Sequence, residues 1–368
     1  MCYLNSPPMG NLLFSFYLLT ALVWLTRTWR ALRALKETPT VEINVHGVRN
    51  PVSVLIPVKN EEDNIGNCLE GLLRQDLPAL EIIVTNDHST DRTPEILSQY
   101  SHSHPERIKI LNAPPMPPGW TGKNWALGYG APRARGEWLL FTDADTRHEP
   151  QMIASALAHA EGKNLDLLTL TPRCLAEGFW EKTLQPAAMA FLGLWFPFAK
   201  VNDPDSPVVF GNGQFLMIRK KVYESLGGHE KVKGEFLEDF ALVRLAKAAR
   251  FRIECAFGTK IFGTRMYRSF SGIGSGWRRI YLHAFEKKPA ALLVKALSVF
   301  LFSTLPFIFF PAGWPILFLI YLVAWRASGI VGAPRAYSLL HPLAGLILAG
   351  ILADAARHAL QKKEVLWR

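Results

Sequence analysis

Hydrophobic positions along this chain follow two regimes. Towards both ends they run together. Leu12–Leu25 is almost wholly apolar, Ala290–Trp325 is apolar apart from Pro311-Ala312-Gly313-Trp314-Pro315, and Leu339–Leu352 makes a third stretch. Between about Pro51 and Lys288 they come instead in short β-rich runs divided by stretches of helical spacing, which predicts an α/β domain with a mainly parallel sheet. Strands are expected over Val52–Pro57, Glu81–Thr85, Ile108–Leu111, Glu137–Thr142 and Asp166–Thr171, with helices over Asp63–Arg74 and Gln151–Glu161. Thr93-Pro94 reads as an N-cap followed by proline at the first helical position. Asn112–Gly122 is rich in Pro and Gly and is expected to be a loop over the site. Phe179–Phe198 is aromatic and apolar without the length of a clear span, and either lines an acceptor cavity or lies on a bilayer surface.

Composition and charge add a membrane to this picture. Hydrophobic residues make up 49% of the 368 and the mean hydropathy is slightly positive, both high for a soluble protein. No Lys or Arg precedes the first apolar segment, whereas Arg27, Arg30, Arg33 and Lys36 follow it. A cleaved leader has the opposite order, and the positive-inside rule places the residues that follow in the cytoplasm. The apolar core is short for a span of about 20 residues, so interfacial anchoring stands beside spanning. Two or three carboxyl-terminal helices are expected, three leaving Lys362, Lys363 and Arg368 on the side that the charge rule disfavours. The net charge of +10 is concentrated beside apolar segments, at Arg265, Arg268, Arg278, Arg279, Lys287 and Lys288, which fits an anionic leaflet better than nucleic acid. Cys2, Cys68, Cys174 and Cys255 contain no C-x-x-C pair and read as reduced thiols of a cytoplasmic domain. The expected domains are a membrane anchor and basic linker (1–40), a cytoplasmic catalytic domain (50–288) and a membrane region (289–368).

The chemistry gathers at the ends of the expected strands, where ligands of open α/β sheets sit. Trp138-Leu139-Leu140-Phe141 delivers Asp143 and Asp145, two carboxylates spaced i, i+2 that can converge on one divalent cation. Pro57-Val58-Lys59-Asn60-Glu61-Glu62 follows the first strand and Asn86-Asp87-His88-Ser89-Thr90-Asp91 the second, while Glu238-Asp239 lies further on between Leu237 and Phe240. Each also has a bland reading, since Asp, Asn and Glu are common in turns and at helix starts. His148 reads as a surface imidazole, and His102 and His104 as polar loop. No G-x-G-x-x-G follows the first strand, which excludes a dinucleotide oxidoreductase.

The order P-x-x-N-E, D-x-S-T-D, D-x-D and E-D resembles the inverting family 2 glycosyltransferases of GT-A fold, over roughly Val52 to Phe285. The wording is most similar to membrane-anchored bacterial enzymes that glycosylate lipids such as carotenoid acids or hopanoids. The phrases that carry this are Pro118-Gly119-Trp120-Thr121-Gly122-Lys123, Thr142-Asp143-Ala144-Asp145-Thr146-Arg147-His148, Val201-Asn202-Asp203-Pro204, Gly213-Gln214-Phe215 and Met266-Tyr267-Arg268-Ser269-Phe270. The resemblance implies a GT-A nucleotide-diphospho-sugar transferase fold with N- and C-terminal transmembrane helices. It further implies that Asp87, with Pro57, Asn60 and Glu61, holds the nucleoside, that Asp145 ligates Mg2+ or Mn2+, and that Asp143 lies nearer the sugar or ribose. Asp239, beside Glu238, takes the part of general base for a single displacement. Lys123 either meets the diphosphate as a point charge or is a solvated loop lysine. Gln214 belongs to an acceptor-side wall or a plain turn, and Arg265, Arg268 and Arg278 either neutralise the leaving diphosphate or face phospholipid.

One departure bears on the product. Processive polysaccharide synthases of the family carry Q-x-x-R-W after the E-D motif, whereas here Gly276-Trp277-Arg278-Arg279 stands in that zone, favouring a single transfer. The expected activity is metal-dependent transfer of a sugar, glucose, from a UDP-sugar to a membrane lipid acceptor such as a carotenoid or hopanoid, in a multi-pass protein of the bacterial inner membrane. The partners are a nucleotide-sugar donor, a lipid and the bilayer, without nucleic acid. The alternatives are transfer to a polyprenyl phosphate, whose oxygen needs no base, and a non-catalytic membrane scaffold of the same fold.

Overall fold

Val52–Val58 (β1) is buried at every position, as a central strand covered on both faces must be. The computed structural model describes residues 8–44, 50–308 and 314–361. The expectations about Cys2, Pro311-Ala312-Gly313, Lys362, Lys363 and Arg368 therefore lie outside the described residues. The chain forms two compact units that are interleaved in sequence.

In chain order the elements are α1 (Pro8–Glu37), β1, α2 (Ile65–Leu73), β2 (Leu80–Asn86), α3 (Thr93–Ser103), β3 (Ile108–Asn112), α4 (Gly122–Gly130), β4 (Trp138–Phe141), β5 (Thr146–His148), α5 (Met152–Gly162), β6 (Leu167–Thr171) and β7 (Arg173–Cys174). After these come α6 (Phe179–Trp195), α7 (Phe198–Asn202), β8 (Leu216–Arg219), α8 (Lys220–Ser225), α9 (Gly228–Lys231), α10 (Glu238–Ala248), β9 (Ile253–Phe257), β10 (Phe262–Thr264), α11 (Phe270–Ala284), α12 (Pro289–Val299), α13 (Trp314–Ile330) and α14 (His341–Gln361).

One unit takes Glu37–Leu175 and Phe196–Met266. Its seven-stranded sheet has the order β3-β2-β1-β4-β8-β6-β9. All neighbours are parallel except β8, which runs antiparallel to both β4 and β6. Alternate residues of the strands feed two cores. Val54, Ile56 and Leu140 pack with Ile65, Leu69 and Leu72 of α2 and Ile153 and Leu157 of α5, whereas Leu55, Leu139 and Phe141 pack with Leu127 of α4 and Leu242 and Val243 of α10. A small sheet, β5-β10-β7, stands apart, with Thr146 opposite Thr264. The reversed β8 matters for the site. Its first residue, Leu216, pairs with Phe141, the last of β4, so Gly211–Gln214 arrive at the edge where β1, β2 and β4 end.

The other unit combines α1, Ala176–Trp195 and the chain from Tyr267 onward. Asn11–Glu37, Pro289–Phe307 and Arg335–Gln361 are long and apolar enough to cross a membrane, and Trp314–Ile330 is a shorter apolar helix. Arg27, Arg30, Arg33 and Lys36 continue α1 as helix instead of leaving it. Its apolar face includes exposed Leu18, Leu22 and Leu25, while polar tips close on neighbours: Tyr17 Oη donates to the Pro306 carbonyl at 2.9 Å and Trp24 Nε1 to that of Phe302 at 2.6 Å. Of the stretch Phe179–Phe198, Phe179–Trp195 is α6, a helix with Pro186 inside it, tied to α11 by Trp277 Nε1 donating to Gln185 Oε1 at 2.6 Å.

Candidate active site

The loops after β1 and β2 are laced together by their own polar groups. Asn60, in the left-handed region at φ 56°, donates its N–H to Ser89 Oγ at 3.0 Å and accepts from the Thr90 N–H at 2.8 Å. Glu61 donates its N–H to Thr93 Oγ1 at 2.8 Å, and its carboxylate accepts from Asn64 Nδ2 at 2.8 Å. Thr93 is itself the first residue of α3, with Arg92 at the cap position, one residue earlier than expected. Asp87 is buried, its N–H donating to the Val58 carbonyl at 2.9 Å and its carboxylate meeting Lys59 Nζ at 3.3 Å. Pro57 sits within β1 opposite Thr85. Four predicted nucleoside-side residues thus line adjoining strand ends.

The paired acids follow β4. Thr142 closes the strand, its Oγ1 donating to the Gln214 carbonyl at 2.8 Å, and Thr146 Oγ1 donates to the Asp143 carbonyl at 2.7 Å. Asp145 accepts from Thr264 Oγ1 at 3.3 Å, and its carbonyl accepts from the Arg265 N–H at 3.2 Å. Gln214 stands behind this contact, Nε2 donating to Thr264 Oγ1 at 3.0 Å. It is therefore tied to the Asp145 carboxylate through Thr264, a residue that carried no signal of its own in the sequence.

Lys123, at the start of α4, joins the two acidic motifs. Its ammonium lies 2.8 Å from Asp143 Oδ1 and 2.8 Å from Glu238 Oε1, with side-chain exposure of only 17%. It is no solvated loop lysine. Asp239 is fixed by backbone donors, the Gly213 N–H to Oδ2 at 2.6 Å and the Phe240 N–H to Oδ1 at 2.8 Å. Glycine is needed here for close approach. A Cβ at Gly213 would lie 2.6 Å from Lys123 Nζ, and one at Gly211 would lie 2.5 Å from the Asp239 carbonyl. Asn124, which sequence reasoning passed over, donates through Nδ2 to the carbonyls of Val232, Lys233 and Glu235, at 2.8, 3.1 and 2.8 Å. It holds the segment that leads into Glu238.

The electrostatics follow from four carboxylates gathered around one ammonium. Burial, then the charges of Asp143 and Glu61, push the Asp145 carboxyl up to about 8. Burial likewise carries Glu238 up to about 7 against the pull of Lys123, and raises Asp239. Burial pulls the Lys123 ammonium down, but Asp143, Glu238 and Asp239 outweigh it and hold it well above the ordinary range. Surplus buried negative charge made of hard oxygen donors suits a divalent cation of the Mg2+ or Mn2+ kind. Among the described residues no three His, Cys, Asp or Glu side chains are grouped so as to hold a metal ion.

His148 requires a correction. It is buried instead of exposed, because Thr146-Arg147-His148 is strand β5 and alternation sends Thr146 and His148 inward. Its Nε2 lies 3.0 Å from Thr146 Oγ1, and burial with the Arg147 charge depresses it to about 3, so it stays neutral. Cys68, Cys174 and Cys255 are buried thiols. Arg265 lies beside Asp145, whereas Arg268 and Arg278 belong to the unit of apolar helices, where Arg278 pairs with Asp354 at 3.0 Å.

Residues 53–227 match the sequence model of Glycosyl transferase family 2. Beta-monoglucosyldiacylglycerol synthase of Nostoc sp. is 28% identical over 211 residues, 56% of this chain and 43% of that protein. 4,4'-Diaponeurosporenoate glycosyltransferase of Staphylococcus aureus is 24% identical over 247 residues, 66% of this chain and 63% of that protein. The matched region thus spans less than two thirds of either relative. Among solved structures, a mannosyltransferase from Pyrobaculum calidifontis in complex with GDP-Man and Mn2+ superposes with a TM-score of 0.56 at 20% identity, covering 96% of this chain and 100% of that one. The likeness establishes a GT-A-like mixed α/β fold.

Proposed function

Residues 53–227 form a family 2 glycosyltransferase domain, and from that premise we propose that the protein transfers a sugar, glucose, from a UDP-linked donor to a lipid acceptor of the carotenoid or hopanoid type. The observation that carries the reading is Lys123, held 2.8 Å from both Asp143 and Glu238 with Asp239 alongside. One ammonium joins the donor-side acids to the acid pair of α10.

Pro57, Asn60, Glu61 and Asp87 bind the nucleoside, Asp87 accepting a charge-assisted hydrogen bond from the base. Asp145, with Asp143, holds Mg2+ or Mn2+, which when bound neutralises the leaving diphosphate as a Lewis acid. Gln214 and Thr264 keep the Asp145 carboxylate turned to its task. Asp239, oriented by the N–H groups of Gly213 and Phe240, takes the acceptor hydroxyl proton as the oxygen bonds to the anomeric carbon and the bond to the diphosphate breaks. Its raised pKa improves it as a base near neutrality. The diphosphate- or acceptor-facing roles of Arg265, Arg268 and Arg278 belong to the same proposal. So does the layout, with the sheet unit cytoplasmic and the apolar helices in a bacterial inner membrane. Names of the Nostoc and Staphylococcus relatives support a lipid acceptor.

The test is donor consumption by detergent-solubilised protein with UDP-glucose and other nucleotide sugars, Mn2+ or Mg2+ against EDTA, and wild type against Asp145→Ala. Metal-dependent turnover that falls about 100-fold or more in the variant is the expected result. No turnover with any donor, even with bacterial lipid extract added, refutes it. Asp239→Asn then separates acceptors: near-complete loss marks a hydroxyl, while mild loss marks an already anionic oxygen, that of a lipid carboxylate or a polyprenyl phosphate.

A further inference from the structure

The unit of apolar helices contains a cleft of its own. It has a volume of about 100 Å³, and its walls come from α1, α6, α13 and α14. Pro186, Ala190, Ala324 and Ala327 make it apolar, and yet Arg27 and Lys182 line it too.

Arg27 lies inside the candidate span Asn11–Glu37 and has no carboxylate partner among the described residues. Its guanidinium reaches Ser298 Oγ at 3.0 Å, the Ser298 carbonyl at 3.4 Å and Ser303 Oγ at 3.3 Å. It also sits 5.1 Å from the Trp24 ring centroid, 5.8 Å from Phe191 and 5.9 Å from Phe302. Hydroxyls and ring faces solvate the cation without neutralising it. The Lys182 ammonium lies 5.6 Å from the Tyr337 ring centroid. A third group completes the set. His341, which also lines the cleft, is 8% exposed and its Nε2 has no hydrogen-bond partner. A half-buried cation, a second cation and an unpartnered ring nitrogen around an apolar cleft are costly unless something anionic completes them.

We propose that this cleft binds one anionic phospholipid of the bilayer, its phosphate held by Arg27 and Lys182 and a stretch of its acyl chain lying against Pro186, Ala190, Ala324 and Ala327. A free inorganic anion matches the cations and not the walls. A neutral lipid matches the walls and leaves the cations unpaired. The site stands independently of the transfer reaction.

The test is native mass spectrometry of the full chain released from nanodiscs that contain phosphatidylcholine and phosphatidylglycerol. One phosphatidylglycerol adduct is expected on wild type and on Arg27→Lys. It falls about tenfold, near 1.4 kcal/mol, in Arg27→Met and in Ala327→Phe. Ala327→Phe keeps every charge and fills the cleft, so it decides the matter even if Arg27→Met does not fold. Equal retention by wild type and Ala327→Phe places the lipid on the basic outer face of α1 and overturns the proposal. Phosphatidylcholine held as strongly as phosphatidylglycerol overturns it as well.

Discussion

Two glycines two residues apart do different work at the acidic site. The atom that a Cβ at Gly213 would displace is the far end of Lys123, which can move at little cost to the fold. Gly213→Ala is therefore expected to lower kcat/KM by about 10- to 100-fold, because small misplacements of reacting groups are costly, with the melting midpoint nearly unchanged. At Gly211 the atoms in the way are the Asp239 backbone carbon and oxygen. Gly211→Ala should cost about 1–3 kcal/mol, read as a lower melting midpoint of the detergent-solubilised protein. If both variants lose stability alike, the ion pairs of Lys123 with Asp143 and Glu238 hold it too rigidly to move aside. In the sequence Gly213 figured only within the phrase Gly213-Gln214-Phe215, and Gly211-Asn212-Gly213-Gln214 read as an acceptor-side wall or a plain turn, with no sign of what either glycine approaches. The acids that they approach were legible because Asp143, Asp145, Glu238 and Asp239 carry their spacing with them.

At the scale of elements, strands were easier to read than the contacts between them. Apolar runs fixed β1, β2, β4 and β6 to within a residue or two, since a strand buried on both faces leaves little ambiguity, and the half-exposed edge strand β3 was legible from its isoleucines and leucine. The three-residue strand β5 was missed because its alternation is brief, and His148 was misread with it. Lys123 and Gln214 could not be placed from local pattern, because their partners lie far along the chain: Lys123 meets Glu238, and Gln214 meets Thr264. The segment before α10 is a sharper case. It depends on one Asn124 amide that serves three carbonyls. Asn124→Ala removes that shared donor, but the Val232 and Lys233 carbonyls keep the N–H groups of Glu235 and Thr121, so the expected cost is about 0.5–1.5 kcal/mol, with kcat depressed through Glu238 and Asp239. A fall in stability without any change in kcat would mean that the segment keeps its shape unaided.

At the scale of the molecule, buried neutral histidines tie stability to pH. Burial, reinforced by the Lys123 charge, depresses His229 to about 3, well below its unfolded value of about 6.5. The unfolded chain therefore binds the extra proton first, and the contribution is whole above about pH 6.5 and is lost as pH falls towards 3. Between pH 7 and pH 5 His229 alone should cost about 2 kcal/mol. Melting midpoints measured across that range should fall, and His229→Gln should flatten the fall. An unchanged slope in the variant would assign the acid sensitivity elsewhere, His148 being the next group to examine.

The sheet order β3-β2-β1-β4-β8-β6-β9 has a further consequence, for birth rather than for catalysis. A ribosome delivers β1, β2 and β3 as one contiguous stretch, and these can pair at once. The open side of β1 then waits for Trp138–Phe141, and β4 waits for Leu216–Arg219. Through that interval the nascent chain presents a bare strand edge rich in Val, Leu and Ile, a template for pairing with other chains. Chaperone demand during synthesis should therefore peak between the emergence of β3 and that of β8, and synonymous codon changes that slow translation there should lower yield without altering the finished protein.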